Sequence, residues 1–267
     1  MSRHFWLGLR FGVSVPYRQT LRVSGLEIAI VVAAIVAGSF VKAVTGMGLP
    51  LIAIPIMALF IDVETAVITM AIPSTLSNAF LAQREVKHYA ETRHLPSMIG
   101  FGVVGAIAGT LLLSVLPDQI LLASLAAAVC AYLINSVLKP DFAIDEPTSK
   151  RWTPIVGTLG GIFQGAVGIS GPVVVTWVHS FRLSRGAHIL SVTSIFLLGG
   201  IAQLIVFIVD GRIFEPGWVV LTAVIPMVIT LPFGTRFRDR LSGPVFDQVV
   251  RASLAVSAIA LLVRAFG

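Results

Sequence analysis

Charge is what this sequence has least of. Asp, Glu, Lys and Arg make up 12% of its 267 residues, against about 25% in a typical soluble domain, and that excludes an ordinary water-soluble fold. Cysteine is nearly absent as well. The single Cys130 lies in an apolar segment, so neither a disulfide framework nor a cysteine metal cage can be built. The histidines His4, His88, His94, His179 and His188 are scattered, with no cysteine or acid completing a ligand spacing, which argues against a metal site. His188 alone keeps a second reading, as a proton relay. There is no P-loop, so an ATP-driven pump would need a separate ATPase subunit. Ser170 sits in GISGP, without the GxSxG elbow or a base to activate it. No enzymatic activity and no cofactor are therefore expected.

What is present is apolar. With 56% hydrophobic residues and a mean hydropathy of +0.94, the chain belongs in a bilayer. At about 20 residues per full span, and fewer where a helix is broken, it holds about eight to ten membrane elements and leaves no stretch for a soluble domain. The formal charge of +6, from 19 basic and 13 acidic residues, is spread over short connectors. That marks membrane topology rather than nucleic-acid binding.

Two stretches repeat. Gly38 to Pro50 reads GSFVKAVTGMGLP and Gly161 to Pro172 reads GIFQGAVGISGP. Laid together without a gap, Gly38 meets Gly161, Phe40 meets Phe163, Ala43 meets Ala166, Val44 meets Val167 and Gly48 meets Gly171; Pro50 and Pro172 fall one position apart. A glycine-rich break at corresponding points of two apolar halves points to a binding site made from interrupted helices.

The remaining chain divides around these breaks. Residues 1–24 form an N-terminal tail, 25–138 a first membrane repeat, 139–151 a polar cytoplasmic connector and 152–267 a second repeat. The apolar pieces in the first half are Leu26 to Phe40, Leu49 to Ile61, Thr65 to Ala82, Pro96 to Leu116 and Ile120 to Leu138. Those in the second half are Trp152 to Val167, Val173 to Phe181, Ala187 to Val209, Trp218 to Phe233 and Phe246 to Phe266. The fold expected is an all-α polytopic bundle of two inverted repeats, each with a broken helix or helical hairpin plus three spans. Gly100, Gly102, Gly105 and Gly109 are spaced for close helix contact.

The Lys/Arg-rich connectors at 83–95, 139–151, 182–186 and 234–245 should be cytoplasmic; the turns at 62–64, 117–119 and 210–217 then face out. This puts the arginines of the tail on the wrong side. Either the first residues are not native, with a start near Val23, or the first break is not a two-arm hairpin.

With these features the chain resembles the TauE/SafE family of sulfite exporters. The matching residues are Gly38, Phe40, Thr45, Gly46, Gly48 and Pro50, then Gly161, Phe163, Gly165, Gly168, Ser170, Gly171 and Pro172. Ile169, Ser170 and Gly171 stand where many relatives carry consecutive glycines. The resemblance implies a multi-pass inner-membrane transporter of a bacterium, with duplicated or inverted halves, that moves small sulfur-containing anions.

An oxyanion entering a bilayer must exchange hydration for donors fixed by the protein. Amides at a broken helix end supply them, and Gly46, Gly48, Gly168 and Gly171 allow close approach and positive φ. Pro50 and Pro172 suit the first turn of the next helix, and Thr45 and Ser170 add hydroxyls. Lys42 is the sharpest feature, since a lysine deep in an apolar stretch costs about 2.5 to 3.5 kcal/mol to insert. It either attracts the anion or snorkels to a headgroup or pairs with an acid such as Glu27; its counterpart in the repeat is Gly165. Ser74, Ser77, Asn78, Gln164, Ser191, Thr193, Ser194 and Gln203 are further candidates, with helix-to-helix bonding as the competing role. The leading function is a secondary transporter coupled to a proton or anion gradient, with a small anion and the lipid bilayer as its partners and no nucleic acid. The alternative is a non-transporting scaffold whose glycines serve packing.

Overall fold

The computed structural model describes residues 25–45, 48–138, 143–214, 219–236 and 244–266, and the tail 1–24 lies outside them. They form ten α-helices with no strand among the described residues. In order these are α1 Gly25–Thr45, α2 Leu49–Met57, α3 Val63–Glu85, α4 Leu95–Val115, α5 Asp118–Leu138, α6 Glu146–Val167, α7 Gly171–His179, α8 Arg185–Val209, α9 Val219–Arg236 and α10 Pro244–Phe266. Five segments, those of α3 with its 3₁₀ extension, α4, α5, α8 and α10, are long and apolar enough to cross a membrane. Large apolar side chains such as Val104, Ile134, Ile205 and Val256 are exposed on them, which suits a lipid-facing surface and not a wet one.

Local signals explain most boundaries. Asp62 caps α3, its carboxylate accepting from the Thr65 amide at 2.8 Å and the Thr65 hydroxyl at 2.8 Å. Asp145 caps α6, and the hydrogen bonds it accepts from Thr148 hold its carboxyl below the usual range. The polar stretch 139–151 is accordingly helical from Glu146, where the cap, Glu146 and Pro147 make a strong helix start. Likewise α3 runs into the hydrophilic stretch after Gln83 and ends in a 3₁₀ turn, Val86–Glu91.

Each break folds the chain back. A Cβ on Gly38 would stand 2.6 Å from the Leu49 carbonyl and 3.4 Å from Ala53 Cβ, and one on Gly160 would stand 2.5 Å from Val174 Cγ2. So α1–α2 and α6–α7 are both two-arm hairpins, each with a nine-residue return arm. The residue that does in the second hairpin what Gly38 does in the first is Gly160. Gly161, its partner in the ungapped alignment, faces another helix.

That helix is α4. Cβ atoms on Gly105, Gly161 and Gly165 would lie 2.1 Å from the Thr158 carbonyl, 2.1 Å from the Gly102 carbonyl and 2.2 Å from the Ala106 carbonyl. The two helices run parallel with backbone on backbone, the small-residue contact expected between spans. Elsewhere α1 packs along α9, α3 against α8 and α5 against α10.

The helix ends gather in two groups. At one end Arg212 bonds Glu64 at 3.1 Å and Asp210 at 2.8 Å, the Val63 amide donates to Asp118 at 3.1 Å, and Arg264 donates to the carbonyls of Ala58 and Ile61. At the other end Arg93 pairs with Glu146 and donates to Ser149, the Ile144 amide donates to the Ser180 carbonyl at 3.3 Å, and the Ser184 hydroxyl donates to Glu91. Since Glu64 opens α3 while Arg212 follows α8, these central helices are antiparallel.

The α4–α6 seam gives a direct test. Gly161→Ala should lower the thermal unfolding midpoint in detergent, with overpacking costing about 1–3 kcal/mol. Gly100→Ala, where a Cβ meets nothing within 4 Å, should leave it unchanged; equal midpoints for both variants would refute the seam.

Candidate functional site

The two hairpin turns meet at one cavity. Residues from both hairpins and from α3, α5 and α8 line it, among them Lys42, Gly48, Asn78, Gln164, Gly168 and Ser170. Its volume is about 60 Å³, enough for a few waters or one small polyatomic ion. No Asp or Glu among the described residues lines it.

Among the described residues Lys42 is the only charged one that lines the cavity, and it is 2% exposed. Its Nζ donates to Asn78 Oδ1 at 2.5 Å, and among the described residues no carboxylate forms an ion pair with it. That burial excludes snorkelling. Glu27, fifteen residues away on the same helix, is about 22 Å distant along the axis, so it cannot neutralise the ammonium.

The second half supplies neutral groups at the corresponding depth. Gln164 Nε2 donates to the Phe196 carbonyl at 2.9 Å, and the Ser170 hydroxyl donates to Gln164 Oε1 at 3.4 Å. Gln203 Nε2 donates to the Gly165 carbonyl at 3.1 Å and the Gln164 carbonyl at 3.4 Å. The Gly165 carbonyl thereby gains a partner at the break, and the Gln164 carbonyl, which already accepts from the Gly168 amide at 2.9 Å, gains a second.

Glycine is required at two turn positions. Gly48, at φ 112°, caps α2, and Gly168, at φ 71°, ends α6 with its amide donating to the Gln164 carbonyl. Pro50 and Pro172 occupy the first turns of the return arms as expected. Gly171 departs from expectation: it opens α7 outside the positive-φ region, and a Cβ there would meet nothing within 4 Å. It lines the cavity all the same, so both short helices direct their N-terminal turns at it.

Of the other candidates, Ser74 lines the cavity and Ser194 does not. Ser77, Ser191 and Thr193 bond carbonyls of their own helices, the usual outlet for a hydroxyl inside an apolar helix. The Thr45 side chain and Gly46 lie outside the described residues. Thr75 and Tyr132 also line the cavity and were not anticipated. Tyr132 carried a faint signal, since Asn135 stands three residues on along the same helix face and donates to Thr176 Oγ1 at 3.0 Å, tying α5 to α7. Among the described residues no group of His, Cys, Asp or Glu could hold a metal.

Helices with exposed apolar faces, two helical hairpins and a cavity between their tips are those of a multi-pass helical membrane protein. The family model described as Sulfite exporter TauE/SafE matches residues 30–261, and the chain belongs to that family of membrane transporters. Compared with curated proteins and with solved structures, it has no significant match.

The second turn is tied sterically to the first hairpin, because a Cβ on Gly168 would stand 2.2 Å from Ile54 Cδ1. Gly168→Ala should destabilise through both this clash and its positive φ, by at least about 1 kcal/mol. Ile54→Ala removes the clash alone, so the double variant should be less destabilised than the two singles summed. Thermal unfolding of the four proteins measures the coupling, and strict additivity would contradict the contact.

Proposed function

We propose that the protein is a secondary transporter for a small sulfur oxyanion, of the sulfite, thiosulfate or organosulfonate class, that works by alternating access. The observation that carries this reading is Lys42, a buried cation whose partner is a neutral amide and whose cavity holds no carboxylate among the described residues. An uncompensated charge in a low-dielectric interior is costly. A bound anion supplies the missing counter-charge. The first-turn amides of α2 and α7 favour negative charge at the same point, and hydroxyls and amides from Ser74, Thr75, Asn78, Gln164 and Ser170 surround it. The small volume favours a compact ion over a lipid or peptide.

Two inverted halves provide the moving parts. The helix pairings map onto themselves when the first five helices are exchanged for the last five: α1 with α9 becomes α6 with α4, while α3 with α8 and α5 with α10 are unchanged. The ends also agree, since the turns after α2 and α7 lie at opposite ends of the bundle. Residues 25–138 and 152–267 are then repeats of opposite orientation, and the site lies where they meet. The basic connectors face the cytoplasm of a bacterial inner membrane, and a proton or ion gradient drives the movement.

One observation favours the scaffold reading. The packing of α6 on α4 accounts for Gly157, Gly161 and Gly165 without any ligand. Flux into proteoliposomes separates the two. Wild-type protein should give saturable sulfite uptake, and Lys42→Ala should reduce it about 10- to 100-fold, the worth of one hydrogen bond to a charged group. Lys42→Arg should retain more activity than Lys42→Ala at normal expression. Absence of saturable flux from folded wild-type protein would favour the scaffold, and full activity in both variants would remove Lys42 from the site.

A further inference from the structure

The polar groups of the central cavity divide into donors and acceptors, and the division sets which form of an oxyanion fits. On one wall Lys42 donates to Asn78 Oδ1 at 2.5 Å. An ammonium only donates, so this bond orients the Asn78 amide with its oxygen toward Lys42 and leaves Nδ2 over. Asn78 is 1% exposed, and among the described residues no acceptor takes Nδ2. This wall offers a cation and an amide N–H.

The second hairpin presents the opposite polarity. Gln164 Nε2 donates to the Phe196 carbonyl at 2.9 Å. A carbonyl only accepts, so the amide is held with Oε1 on the side of Ser170, and a flip would set Oε1 against the carbonyl, lone pair to lone pair. Gly199 makes room for the amide: a Cβ there would stand 3.0 Å from Nε2 and 3.2 Å from Oε1. The one bond to Oε1 is the long contact from the Ser170 hydroxyl, 3.4 Å, which leaves it capacity for a better donor. Thr75 adds an acceptor beside it. Its hydroxyl proton goes to the Ala71 carbonyl at 2.7 Å, so Oγ1 has only lone pairs to offer. A Cβ on Gly200 would stand 2.6 Å from that Oγ1 and 3.7 Å from Gln164 Nε2.

An oxyanion stripped of every proton brings acceptors alone. It suits Lys42 and Asn78 but opposes its lone pairs to those of Gln164 Oε1 and Thr75 Oγ1, in an interior where an unmade bond is costly. One O–H on the ligand removes the conflict. Charge leads to the same ligand, because a single ammonium with no Asp or Glu among the described lining residues is neutralised by a monoanion, whereas a dianion leaves a buried net charge.

We infer that the central site selects a singly charged, singly protonated oxyanion, hydrogen sulfite in its O–H form, and that Gln164 is the residue that recognises its proton. This rests on the transport reading above and narrows it: thiosulfate, a dianion, and the sulfonate group, which carries no hydrogen, are both disfavoured. The proton rides on the substrate, so the cavity needs no carboxylate to carry it.

Methanesulfinate is the probe, a monoanion across the neutral range with a methyl where hydrogen sulfite has its hydroxyl. In proteoliposomes with equal pH on both sides, the wild-type KM for total sulfite should rise about tenfold per pH unit above neutrality, as the protonated fraction falls. The inhibition constant of methanesulfinate should stay level with pH and lie about tenfold above the KM expressed as hydrogen sulfite, the worth of one hydrogen bond. Gln164→Met should raise the KM for hydrogen sulfite about tenfold and leave methanesulfinate unchanged, so that the preference disappears. The wild-type comparison needs no variant and stays decisive if Gln164→Met is unstable. A KM for total sulfite that does not move with pH overturns the inference, as does equal affinity for the two anions. A methanesulfinate constant that climbs in parallel with sulfite also overturns it, by placing the titration on Lys42 or Tyr132, the titratable side chains that line the cavity among the described residues. If wild-type protein moves no sulfite, the transport reading fails; binding of radiolabelled sulfite in nanodiscs of neutral lipid, with methanesulfinate as competitor over the same pH range, then judges the selection by the same criteria, and no binding at all refutes it.

Discussion

A helix broken inside an apolar layer leaves backbone amides and carbonyls where water cannot reach them, and most of this structure answers that constraint. Each break is turned into a hairpin, so the return arm covers the exposed end of the long arm. Gly48 and Gly168 let the turn close in the left-handed region. The Gly165 carbonyl is taken by Gln203 from across the bundle, and Gln203 also bonds the Gln164 carbonyl. Proline in the first turn of each return arm removes a donor that would otherwise go unpaired. What is left after this accounting is a small set of inward-facing donors, and they define the cavity.

The halves share this backbone solution and differ in their side chains. The first hairpin is tied to α3 by Lys42 and Asn78, and the second to α8 by Gln164, the Phe196 carbonyl and Gln203. One tie is charged and the other neutral. Two buried lysines facing each other would repel across a narrow space, so a single ammonium set against amides and hydroxyls is the arrangement a small anion can use from either hairpin. The hairpin fold that the two halves share therefore does not require a shared charge.

How much of this could be read from the chain depended on whether a feature was local. The paired breaks, the prolines and the apolar pieces are written in consecutive residues, and they anticipated the helices to within a few positions. Lys42 announced itself by its cost in an apolar run. Helix α6 began earlier than expected because a strong cap, Asp145, outweighed the polarity of the first turns. Tyr132 and Thr75 reach the cavity because α5 and α3 lie alongside it, and their neighbours Asn135 and Ser74 gave only a faint sign of it. Gly160 and Gly161 illustrate the limit best. Adjacent and chemically identical, one seats a hairpin and the other a neighbouring span, and only three-dimensional packing assigns them.

The pairing of α1 with α9 and of α6 with α4 has a consequence for how the molecule is made. As the chain leaves the ribosome, α6 finds α4 already in place and can dock as soon as it forms. The first hairpin has no such luck: α9 is synthesised near the end, so the lysine-bearing arm must wait through most of translation with one flank uncovered. The order of synthesis thus sets an order of closure, in which the neutral half of the site is completed first and the charged half is sealed last.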